Sequence, residues 1–147
     1  MKRKTWREKM DTPKLPKLVA IPANMKRAGS GVMLVPSPRE IEELIRSVPE
    51  GDVVTLTALR ETLATRHGAD LTCPLTAGLF VRIVAEAAEE AANSDNSVTV
   101  PYWRVVKDDG SLNPKLPGGV ERQAERLRQE GHRIVSTRNK QPRLAQS

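Results

Sequence analysis

The sequence predicts a mainly α domain with a small β-hairpin, in the winged-helix-like helix-turn-helix class, and three observations lead to it. Apolar residues recur at helical spacing in several segments. Two of those segments are separated only by a short break after Gly68, and a β-branched, aromatic run leading to an Asp109-Gly110 turn follows them. At 147 residues the chain suits one domain built round one core.

Residues 1–36 carry Pro13, Pro16, Pro22 and Pro36 with Gly29 and Gly31 and keep no helical period. They read as an extended basic arm, which Leu15, Leu18, Val19 and Ile21 can pin to a domain spanning 37–135. From Ser37, Pro38 suits a first helical turn, and Ile41, Leu44, Ile45 and Val48 mark one apolar face until Pro49 and Gly51 end it. Thr57 suits the cap of a second helix holding Leu59 and Leu63, with Gly68 as its stop. Pro74 opens a third, in which Leu75, Leu79, Ile83, Val84, Ala87 and Ala91 are expected to be buried while Glu86, Glu89 and Glu90 face water. Val98 to Val106 reads as a strand, and Asp109-Gly110 before Leu112 as the turn of a hairpin or wing. Pro117-Gly118-Gly119 introduces a last helix with Val120, Ala124 and Leu127 inward and Gly131 as its stop. A short strand over His132–Val135 and a frayed basic tail, 136–147, complete the chain.

The charge is uneven. Lys and Arg number 24 against 18 acids, for a formal +6 and a pI near 9.8. Residues 1–27 hold 9 basic and 2 acidic side chains, 39–95 hold 5 and 11, and 104–147 hold 10 and 5. Two basic ends favour a polyanionic partner, though a charge run by itself is as often a solvated surface. No stretch is apolar enough for a membrane span, and the lysine-rich start lacks the apolar run of a secretory signal, so no membrane and a cytoplasmic location are expected, at the nucleoid in a bacterium. A single cysteine, Cys73, excludes an internal disulfide and a multi-cysteine zinc site, and only His67 and His132 are there to assist it. No metal, no cofactor and a monomer are expected.

Four segments then occur in a telling order: Val48-Pro49-Glu50-Gly51-Asp52-Val53-Val54-Thr55, Pro74 to Val84, Pro101-Tyr102-Trp103-Arg104-Val105-Val106 with Asp109-Gly110 and Gly118-Gly119, and Glu130-Gly131-His132. Together they resemble the methylated-DNA–protein cysteine methyltransferases and their alkyltransferase-like relatives, which repair or flag guanine alkylated at O6. In that family a proline, cysteine, histidine, arginine, valine motif stands where this chain has Pro101 to Val105. The resemblance therefore implies that Tyr102 replaces the acceptor cysteine, Trp103 replaces its histidine, Arg104 is the motif arginine and Glu130 is the orienting glutamate.

The chemistry changes with those residues. A thiolate activated through histidine attacks an alkyl carbon; a phenol with a reference pKa near 10 is a poor nucleophile at neutral pH, and an indole nitrogen only donates. No catalytic residue is expected, and an active transferase would need Cys73 to act as a displaced acceptor, against the commoner role of free cysteine as a small buried hydrophobe. Tyr102, Trp103 and Glu130 become a base pocket in which aromatic faces can stack on an extrahelical guanine. The competing expectation is that the two rings fill the pocket, which would bar a flipped base. Glu130 has an equally ordinary alternative as a solvated helix end.

For duplex contact, the family's recognition helix implies Thr76, Ala77 and Gly78 as small residues approaching a minor groove, with Arg60, Arg66 and Arg104 for phosphates. Two departures stand out: Gly78 aligns with the arginine that replaces a flipped base, and Leu56 with the tyrosine that rotates the phosphate. Arg82, one turn on, is the candidate substitute. The expected partners are duplex DNA, with alkylated guanine as the candidate lesion, and a repair protein. A general winged-helix DNA-binding or regulatory module, or an interaction module docking through Glu86–Asp95 or Trp6, is the alternative.

Overall fold

The computed structural model describes residues 5–28, 31–95, 100–136 and 142–145. Its helices are α1 (Trp6–Lys9), α2 (Pro38–Arg46), α3 (Leu56–His67), α4 (Pro74–Asp95) and α5 (Gly119–Gln129). The strands are short: β1 (Lys17–Ala20), β2 (Val32–Val35), β3 (Val54–Thr55), β4 (Leu71–Thr72), β5 (Val105–Val106), β6 (Ile134–Val135) and β7 (Arg143–Leu144). The fold is mainly α, and α3 and α4 form a helix-turn-helix against α2. No helix among the described residues is long and apolar enough to cross a membrane.

Local chemistry sets the helix ends. Ser37 caps α2 by accepting from Glu40 N with Pro38 in the first turn, and Gly68 closes α3 in the left-handed conformation. The cap of α3 is Thr55, not Thr57: Thr55 accepts from Ala58 N at 3.1 Å, while the Thr57 hydroxyl donates to Asp108 at 2.6 Å. Both threonines satisfy a cap pattern in sequence. The pairing of β3 with β5 extends Thr55 and so selects it.

In α4 the expected inward stripe is rotated. Ala77, Phe80, Val81, Val84, Ala85 and Ala88 enter the core together with Ile83, whereas Leu75 is 83 % exposed and Leu79 52 % exposed. The helix is apolar on most sides, so its period leaves the inner face undetermined; the contacts with α2 decide it. Glu89 and Glu90, expected in water, are both engaged by other elements.

The segment before residue 37 is not simply an extended arm. Thr5 and Glu8 make a reciprocal capping box for α1, and Trp6 N and Arg7 N donate to Glu90 of α4. Met10 is buried in the core. Farther on, β1 pairs antiparallel with β2, and β2 pairs parallel with β4, placing residues of the arm at the centre of a three-stranded sheet. Long-range pairing supplied what the proline-rich local pattern concealed.

The expected hairpin around Asp109-Gly110 is also reassigned. Lys107 N donates to Ser111 O and Gly110 N to Lys107 O, so the turn is there. Its strand, β5, pairs in parallel with β3 rather than with its own return, and Ser111 bridges to Arg143. Val98 and Thr99 of the expected strand lie outside the described residues. So do 137–141, 146 and 147 of the tail, but 142–145 is ordered by pairing of β7 with β6.

Candidate nucleic-acid interface

The segment Tyr102–Arg104 forms one 3-10 turn directly before β5. Tyr102 is 1 % exposed and Trp103 8 % exposed, and their rings meet edge to face with centroids 5.4 Å apart. The Tyr102 hydroxyl donates to Glu89, whose carboxylate also takes Arg122 at 3.3 Å and Arg126 at 3.4 Å. Burial, reinforced by Glu89, pushes the Tyr102 phenol well above its ordinary value, so it stays neutral. A neutral, hydrogen-bonded phenol in the core has no nucleophilic character.

Trp103 turns to the other side. Its Nε1 donates to Glu130 at 3.0 Å, and Arg126 lies over its ring at 4.5 Å. Glu130 thus has Trp103 as a hydrogen-bond partner. Arg104 joins the same group: its guanidinium donates to Glu130 at 2.7 Å and to the Val48 carbonyl at 2.6 Å, with side-chain exposures of 12 % and 8 % for Arg104 and Glu130. Burial raises the Glu130 carboxyl, but the hydrogen bonds from Arg104 and Trp103 outweigh it and hold the group below the usual glutamate value.

The three residues expected to form a base pocket thus pair with neighbouring side chains: Tyr102 with Glu89, and Trp103 with Glu130. Tyr102 and Trp103 are both buried, with Arg126 and Arg104 over the Trp103 ring, and Gln123, itself buried, locks the turn by donating to the carbonyls of Trp103 at 3.0 Å and Val105 at 2.9 Å. Nothing local in the sequence marks Gln123 or Glu89 for these roles. They act through segments 13 to 20 residues away along the chain.

The other expected contacts divide. Arg104 is committed to Glu130 and Arg66 to Glu40 and Glu43, while Arg60 donates to the Thr72 carbonyl at 3.1 Å and joins α3 to β4. Ala77 faces inward, the Thr76 hydroxyl pairs with the Cys73 thiol at 3.1 Å, and Cys73 is half-buried. Gly78 and Arg82, by contrast, share an open cleft of about 370 Å³ along the outer face of α4. Pro74, Leu75 and Leu79 line it from the helix; Lys107, Asn113, Pro114 and Lys115 line it from the loop after β5. Among the described residues its charged lining, Arg82, Lys107 and Lys115, is entirely basic. The two lysines carry no motif, so only the fold could reveal them.

A helix-turn-helix domain with a buried aromatic pair and a cationic cleft beside its second helix is the class that the fold and geometry define. The family model for the 6-O-methylguanine DNA methyltransferase DNA binding domain matches residues 36–132, and the chain belongs to that family. Among solved structures, the crystal structure of S. pombe Atl1 in complex with damaged DNA containing O6-carboxymethylguanine is similar at 22% identity, with a TM-score of 0.49, over 74% of this chain and 87% of that one. No curated protein matches the chain.

Proposed function

We propose that this chain is a non-catalytic, alkyltransferase-like protein that binds duplex DNA, favours O6-alkylated guanine and flags it for a repair partner. The observation that carries the reading is the fate of the acceptor site. On the motif resemblance Tyr102 and Trp103 stand in place of the family's cysteine and histidine, and both are buried and hydrogen-bonded to carboxylates. Such a site has no group that can accept an alkyl carbon. What the domain retains is a means of holding DNA, and the basic cleft at Gly78, Arg82, Lys107 and Lys115 supports that use.

Binding would proceed with phosphates drawn to the cleft cations and to the net charge of +6. Lesion preference would arise at the cleft, because Tyr102 and Trp103 are buried while the cleft is open. A monomeric, cytoplasmic protein that passes the lesion to a repair protein belongs to the same reading.

The test is a titration of a labelled duplex, with and without one O6-methylguanine, by fluorescence anisotropy at several salt concentrations. Mass spectrometry of Cys73 accompanies it. The expected outcome is tighter binding to the alkylated duplex with no mass added to Cys73. Equal affinity for both duplexes would leave a general DNA binder, and a methyl group on Cys73 would make the protein a transferase.

A further inference from the structure

We propose that Leu75, seconded by Leu79, is an apolar wedge that enters a base step of duplex DNA from the minor groove. The proposal rests on the DNA-binding reading. Leu75 and Leu79 stand one turn apart on α4, with 83 % and 52 % exposure, at the start of a helix whose other large apolar residues are buried. Both line the open cleft, and Gly78 between them leaves no side chain in the way.

Charge identifies the occupant. The apolar pair is flanked by Arg82, Lys107 and Lys115, and among the described residues no carboxylate lines the cleft. An apolar protein face would leave those cations unpaired, whereas duplex DNA offers phosphates at the rim and base faces within. Proteins that read the minor groove commonly insert leucine between base pairs, partly unstacking and bending the duplex. A leucine on the first turn of a long, well-packed helix is held rigidly enough to do so, and the exposed position means that its replacement leaves the core intact.

The full-length protein is titrated with a short duplex carrying 2-aminopurine beside an O6-methylguanine, and with the unmodified counterpart. Anisotropy reports binding and 2-aminopurine fluorescence reports unstacking. The expected result is a several-fold fluorescence rise with the natural chain. Leu75→Ala should lose the rise and weaken binding on the order of tenfold without changing the salt slope, while Leu75→Phe keeps both. Lys107→Ala with Lys115→Ala should do the reverse, flattening the salt slope by about 0.9 per lost phosphate contact and keeping the rise at saturation. Unchanged affinity and unstacking in Leu75→Ala would overturn the wedge and leave DNA binding standing. Absence of binding to either duplex would overturn both. A dimer of the free protein that Leu75→Ala dissolves, with DNA affinity unaltered, would make this face a self-interface and also overturn the wedge.

Discussion

Arg104 counts toward the positive charge of the chain, yet its guanidinium is spent inside the protein on Glu130 and the Val48 carbonyl. Removing one member of a buried pair strands the other, at a cost of about 3–5 kcal/mol, so Arg104→Ala should lower stability by that order in urea melts. Glu130→Gln gives a pH signature. A carboxyl held below its ordinary value contributes stability that is present above the unfolded-state pKa of 4.5 and is lost as pH falls through its lowered native value. The stability gap between the natural chain and Glu130→Gln should therefore be full at pH 7 and shrink as the pH falls below about 4.5; a gap that widens in acid would contradict the assigned pairing. Tyr102 behaves with the opposite sign. Its raised pKa makes its contribution full below the ordinary 10.0 and lost as the pH climbs toward the native value. It is the chain's one tyrosine, so tyrosinate absorbance should appear above pH 10 together with unfolding and not before it. At this scale the sequence was informative about which residues come together: the motif singles out Tyr102, Trp103, Arg104 and Glu130, and the hydrogen bonds of Trp103 and Arg104 to Glu130 join three of them. Which way they point was not legible, because Glu89 and Gln123, which hold them, are distant along the chain.

Helix α4 shows the same limit one level up. Its existence, its opening at Pro74 and its partnership with α3 follow from proline, period and the Gly68 stop, but its rotation does not follow from a sequence that is apolar on several faces. Two-residue strands such as β3 and β5 are likewise hard to read, because each exists only through its distant partner. Gly78 offers a clean test of the helix. It sits in α4 without a left-handed φ, and a Cβ there would meet only the Leu56 side chain at 3.8 Å, an ordinary van der Waals distance. Gly78→Ala should thus stabilise the protein by up to about 1 kcal/mol through the lower backbone entropy of the unfolded chain. Thermal melts check it; a fall in Tm would mean that the α3–α4 contact is tighter than the structure has it. Thr55→Ala should cost about 1 kcal/mol as the loss of a true cap, more than a cap-free position would.

For the whole molecule, the family match begins at residue 36, yet the chain before it is woven into the domain. β2 is the middle strand of its sheet, Val32 N donates to Asp70 at 2.8 Å, and Cys73 N donates to the Leu34 carbonyl at 2.8 Å just ahead of α4. Gly31 is held against the same aspartate, since a Cβ there would fall 2.2 Å from an Asp70 oxygen. Met10 adds core volume, and Glu90 fixes α1 to the helix that bears the cleft. Removing residues 1–35 should accordingly do more than remove charge. It opens a cavity at Met10 and Leu34, where each large-to-small loss costs on the order of 2–5 kcal/mol, and it strips the sheet partners from β4. Such a loss is comparable with the whole stability of a small domain, so the truncated chain should lose cooperative unfolding. Removing only residues 1–4 takes away Lys2, Arg3 and Lys4, and should leave Tm nearly unchanged while weakening DNA binding at low salt. Calorimetry on the two truncations separates the roles. If the chain without residues 1–35 still melts cooperatively near the natural Tm, the N-terminal segment is an appendage after all, and the setting of α4 belongs to the family domain alone.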